Sequence, residues 1–128
     1  MSKNIEDLYA TEDALGLGGL VRRGEVSALE LVDESIRRIE QVNPQLNAVI
    51  HKAYESARET AQGPLPDGLF KGVPYLAKEL ATMWNGQPTT NSCEYLKDFV
   101  APLDLEIVTR IKKAGFILVG KSNAPEFG

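Results

Sequence analysis

The chain has 128 residues, 43% of them apolar and 25% charged, an ordinary globular mixture long enough for one domain with a real core. Its formal net charge of -4, from 14 basic and 18 acidic residues, argues against a nucleic-acid partner. With a single cysteine, Cys93, and a single histidine, His51, neither an internal disulfide nor a zinc site built from Cys and His alone can form. The polar start, Met1-Ser-Lys-Asn-Ile-Glu-Asp7, lacks the apolar run of a signal peptide. No stretch approaches the roughly 20 apolar residues of a membrane span, so a soluble cytoplasmic protein with no membrane partner is expected.

In chain order, residues 1–63 read as a helical region. Thr11-Glu12-Asp13 predicts a helix start with acids in the first turn, and Gly16, Gly18 and Gly19 weaken or bend the helix that follows. Arg22, Arg23 and Gly24 close it. Ser27-Ala-Leu-Glu30 is a capping box, and Leu29, Val32, Ile36 and Ile39 form an apolar stripe behind it until Pro44 ends the helix. A third helix is expected from Ala48 to Gln62, with His51 on its surface or half-buried and Gly63 at its end. Gly63-Pro-Leu-Pro-Asp-Gly68 is a loop joining this region to residues 64–128, which read strand, long connection, helix, strand.

Val73-Pro-Tyr-Leu-Ala77 is a short apolar strand ending at Lys78, with Pro74 at its start or on an edge because proline has no donor for the ladder. An irregular segment with Trp84, Gly86, Pro88, Thr89 and Thr90 follows. Asp104 starts a helix with Val108 and Ile111 on its inner face and Gly115 at its end, and Phe116–Val119 forms a second buried strand. If the two strands pair in parallel the crossover is right-handed, and Lys78 and Lys121 both stand at carboxyl ends, where ligands of such sheets gather.

Gly115-Phe-Ile-Leu-Val-Gly120-Lys121-Ser122 has the spacing of a phosphate-binding loop. That loop needs a strand before its first glycine and a helix at its lysine. Here a helix precedes Gly115, the middle residues suit a buried strand, and Pro125 keeps Ala124 out of helical conformation, so nucleotide binding is disfavoured. Lys78 is open to two readings: a charge snorkelling to the surface, or an amine held neutral by burial and serving as a base. Cys93 has no activating neighbour and reads as a small buried hydrophobe. Glu79 either pairs with Lys78 or faces solvent.

Phe70-Lys-Gly72-Val-Pro74-Tyr-Leu-Ala-Lys78-Glu, Gly86-Gln-Pro88-Thr89-Thr90, and Val119-Gly-Lys-Ser-Asn123-Ala-Pro-Glu126-Phe127 follow one another as in the amidase signature family. Asn43-Pro-Gln-Leu-Asn47 also resembles that family's N-terminal helices, and the likeness runs from about Ala14 to Gly128. A subgroup acting on linear or cyclic amide oligomers is similar as well. The resemblance implies an α/β fold, N-terminal helices followed by the start of a mixed sheet with flanking helices, and carboxylic amide hydrolysis through an acyl-enzyme. It implies Lys78 as the base, acting through a bridging serine in a cis peptide on a serine nucleophile, with no metal or organic cofactor and a small-molecule amide as substrate.

In that family the two serines lie in a Gly/Ser-rich segment beyond the Pro-Glu-Phe motif. None of Ser27, Ser35, Ser56, Ser92 or Ser122 sits in such a segment, so the 128 residues alone are expected to be inactive and to form the N-terminal part of an amidase domain. A homo-oligomer or a complementing fragment is the expected protein partner. The alternative is a non-catalytic interaction module derived from an amidase, whose open sheet edges pair with another chain.

Overall fold

Short-range chemistry builds the N-terminal helices. The structure, a computed structural model, describes residues 4–128. Helix α1 spans Ile5–Thr11, and the Thr11 hydroxyl donates to the Asp7 carbonyl. Thr11 therefore closes one helix rather than opening the next. Asp13 is the cap of α2 (Ala14–Arg22), its carboxylate accepting from the Gly16 amide at 2.8 Å. The glycines do not break α2. A side-chain carbon at Gly18 would lie 2.4 Å from the Leu69 carbonyl oxygen, so glycine is what lets the loop at 68–70 lie against the helix. The Arg22 guanidinium donates to the Gly68 and Leu69 carbonyls and fastens that loop.

Helix α3 spans Ala28–Leu46, and its capping box forms in full: Ser27 Oγ accepts from the Glu30 amide, and the Glu30 carboxylate accepts from the Ser27 amide at 2.8 Å. Leu31, not Leu29, leads the buried face, with Val32, Ile36 and Ile39. Pro44 lies inside the last turn and does not end the helix. Asn47 does, in the left-handed conformation at φ 48°. The helix expected over Ala48–Gln62 is two elements: strand β1 (Val49–Lys52), then helix α4 (Tyr54–Gln62). Asn43 makes the strand start possible, since its side-chain amide accepts from the Val49 amide and donates to the Val49 carbonyl as another strand would.

Strand β2 spans Pro74–Lys78, with Pro74 at its first position. Helix α5 runs over Glu106–Lys113. It does not start at Asp104, whose carboxylate instead accepts from the Asn85 amide and from Lys112. Strand β3 extends past Val119 to span Ile117–Ser122. The sheet has the order β1-β3-β2, with β1 antiparallel and β2 parallel to the central β3. Among the described residues three strands thus replace the expected two, and the third comes from the region read as wholly helical.

Two register shifts bend the ladder: Ile50 is the extra residue of β1 between Val49 and His51, and Val119 is the extra residue of β3 opposite Tyr75 and Leu76. One face of the sheet, with Ile117, Val119 and Val49, packs on Val32, Ile36 and Ile39 of α3 and Ala57 of α4. The other, with Leu118 and Ala77, packs on Val108 of α5 and on Trp84. Burial of this apolar surface, at about 25 cal/mol per Å², is the main stabilising contribution.

Candidate active site

The register shift at Val119 decides what stands at the carboxyl ends of β2 and β3. Lys78 pairs with Ser122 and Ala77 with Lys121, so alternation along the strands sends the two lysines to opposite faces of the sheet. Lys78 is exposed, and no side chain among the described residues hydrogen-bonds or ion-pairs with it. The burial contemplated for Lys78 falls on Lys121, which is 0% exposed. Sequence pattern placed both lysines at strand ends but carried no sign of which one the long connection between β2 and α5 would cover.

Lys121 Nζ donates to the Pro88 carbonyl at 2.6 Å and to Thr89 Oγ1 at 2.8 Å, and stands 3.3 Å from Glu79 Oε2. Glu79 is likewise fully buried. Its Oε1 accepts from the Thr90 amide at 2.5 Å and the Thr90 hydroxyl at 2.7 Å, and His51 Nε2 lies 3.4 Å away. Glu79 therefore neither pairs with Lys78 nor faces solvent; its cation is Lys121, 42 residues along the chain. Burial works against the charge on Glu79, but Thr90, Lys121 and His51 outweigh it and hold the carboxyl below its ordinary value. Burial lowers the Lys121 ammonium below its ordinary value, and Glu79 opposes the shift.

The Thr90 hydroxyl also accepts from the Ser92 amide, and the turn continues through Asn91 and Ser92 at φ 49° and 54°. Asn91 Oδ1 accepts from the Ala81 amide, three residues past Lys78. Beside this turn opens a cavity of about 350 Å³, walled by Met83, Leu96, Phe99 and Leu105 with Thr89 and Asn91 at its polar side. Cys93 is half-buried and lies outside the cluster. His51 lies in β1, not on a helix.

Gly120-Lys121-Ser122 lies within β3, its backbone engaged with both neighbouring strands, so the segment from Gly115 is a turn and a strand and not a loop around a phosphate. Among the described residues no group of three or more His, Cys, Asp or Glu side chains is placed to hold a metal, and no helix is long and apolar enough to cross a membrane.

The Amidase family model matches residues 30–128, which include Lys78, Glu79, Thr90 and Lys121. The chain belongs to the amidase family. It is 41% identical over 119 residues to a 6-aminohexanoate-cyclic-dimer hydrolase of Paenarthrobacter ureafaciens, covering 91% of this chain and 24% of the relative. It is 36% identical over 122 residues to an indoleacetamide hydrolase of Bradyrhizobium diazoefficiens, covering 89% of this chain and 23% of the relative. A solved structure of 6-aminohexanoate cyclic dimer hydrolase superposes with a TM-score of 0.84 over 91% of this chain and 24% of that one, again at 41% identity. A bacterial aryl acylamidase of the amidase signature family superposes with a TM-score of 0.80 at 32% identity, covering 91% of this chain and 26% of that one. The chain spans about a quarter of the length of these relatives and corresponds to their N-terminal portion. Mixed α/β architecture and amidase kinship, both expected from the motifs, hold.

Proposed function

We propose that these residues supply the lysine-bearing part of an amide hydrolase, with Lys78 as the general base. The observation that carries this is the placement of Lys78: last residue of β2, exposed, with no side-chain partner among the described residues, inside the segment matched by the family. Among the described residues no carboxylate engages the side chain, and the polypeptide that brings the serines would also have to withdraw the amine from water for it to act as a neutral base. Lys78 would draw a proton through a bridging serine from the nucleophilic serine, which attacks the amide carbonyl; the amine leaves, and water hydrolyses the acyl-enzyme. Both serines, and the backbone amides that hold the oxyanion, would come from polypeptide outside these 128 residues. The substrate is a small-molecule carboxylic amide.

The test is a chimera. The matching segment of the Paenarthrobacter 6-aminohexanoate-cyclic-dimer hydrolase is replaced by this chain, and amine release from that relative's cyclic dimer is followed. The chimera is expected to turn over, and Lys78→Ala to reduce kcat about 10²- to 10⁴-fold without loss of fold. Near-unchanged turnover in Lys78→Ala refutes the assignment.

A further inference from the structure

Directly after Lys78 the chain withdraws two opposite charges from water, Glu79 and Lys121, both 0% exposed. Such a pair is a poor device for stability, because desolvating two ions offsets most of their attraction and apolar residues of similar size often do better. Its contacts show what it does instead. Lys121 grips Pro88 and Thr89, and Glu79 grips the amide and hydroxyl of Thr90, so three consecutive residues are held against the end of β2. The Glu79 amide in turn donates to the Ser122 carbonyl at 3.0 Å. The peptide linking Lys78 to Glu79 is thus fixed by the ladder on one side and by a buried carboxylate on the other.

The same clamp leads into Asn91 and Ser92, both in the left-handed conformation that non-glycine residues keep only where their surroundings over-determine it. Asn91 reaches back to the Ala81 amide, so the chain just beyond Lys78 is tied to the clamped turn a second time.

We propose that Glu79 and Lys121 are positioning residues for Lys78, a buried ion pair that sets where the end of β2 lies and so where the Lys78 amine stands. This rests on Lys78 being the base. Neither residue touches substrate; each acts through the backbone on which Lys78 is mounted.

Lys121→Met leaves Glu79 buried without its cation, so Glu79→Gln, the double variant Glu79→Gln/Lys121→Met, and Thr90→Val are measured beside it. In the 128-residue chain, hydrogen exchange of the Glu79 and Thr90 amides is expected to accelerate at least about tenfold in each variant, with Ile117 and Val119 unchanged. In the chimera, kcat per folded molecule is expected to fall about 10- to 100-fold, the scale of a misplaced catalytic group, with KM within about twofold. The double variant is expected to be no worse than the poorer single, since the pair acts as one unit. Unchanged exchange, or a loss of activity that only tracks the folded fraction, overturns the proposal. Full activity in Lys78→Ala refutes the base assignment and with it the catalytic use of the clamp, while the exchange data judge the clamp separately.

Discussion

At Gly120 the backbone of β1 leaves no room for a side chain on β3. A side-chain carbon there would sit 2.4 Å from the His51 carbonyl oxygen, about 1 Å inside ordinary contact, and the obstacle is backbone, which cannot rotate away. Gly120→Ala must push β1 off the central strand, lengthening its hydrogen bonds and opening the packing of Val49. Overpacking of this kind costs about 1–3 kcal/mol. At roughly 2.1 cal/mol/K of unfolding entropy per residue, that lowers the melting temperature by roughly 4–11 °C. Gly63 is the control: its added carbon would meet only the Glu59 and Thr60 carbonyl oxygens at 3.6 and 3.7 Å, so Gly63→Ala is expected to be neutral within about 0.5 kcal/mol. Thermal melts of the two variants beside the parent decide the matter. A Gly120→Ala protein melting within 1–2 °C (about 0.5 kcal/mol) of the parent refutes the reasoning, because the strands would then have room the structure denies them.

Acid stability gives a second prediction. The Arg37 guanidinium, against burial and with help from Arg38, holds Glu34 at about 2, below its ordinary 4.5. A carboxyl whose folded value is depressed stabilises the fold above its unfolded value, and this is lost as pH falls from about 5 toward 2. Denaturant midpoints are expected to drop across that window, with a shallower drop in Glu34→Gln; equal slopes count against the assignment. The third concerns association. Phe99, Val100, Leu103 and Ile107 are at least 41% exposed, and β1 and β2 each have one unpaired edge among the described residues, so light scattering is expected to show oligomers growing with concentration. A monodisperse monomer over a hundredfold concentration range would contradict this.

What the sequence disclosed was what neighbours in the chain decide. The capping box at Ser27 and Glu30, the left-handed turn at Gly24 and the position of Pro74 follow from contacts within a few residues, and all are present. Strand β1 escaped because its partner is far away and Val49–Lys52 runs, with only Ala53 between, into the helix-forming stretch 54–62. The β-branched pair Val49-Ile50 after Asn47, a residue that tolerates the left-handed turn, was the available signal. At the site, the strand-end position of Lys78 was legible from the break in the apolar run. The Glu79–Lys121 pair was not, because which lysine is buried depends on where residues 88–90 settle, and that is a tertiary matter. The shift at Val119 that aims Lys121 at Glu79 leaves no mark in composition.

The antiparallel pairing of β1 with β3 also bears on the order of events during synthesis. Val49 leaves the ribosome about seventy residues before Ser122, its ladder partner, and at about 5–20 residues per second that interval is roughly 4–15 s. Through this time α3 can form and cap itself, but the face that includes Val32 and Ile36 has neither Ile117 nor Val119 to cover it. The nascent chain therefore carries an apolar helix face covered only in part, by α4, for several seconds until β3 is delivered.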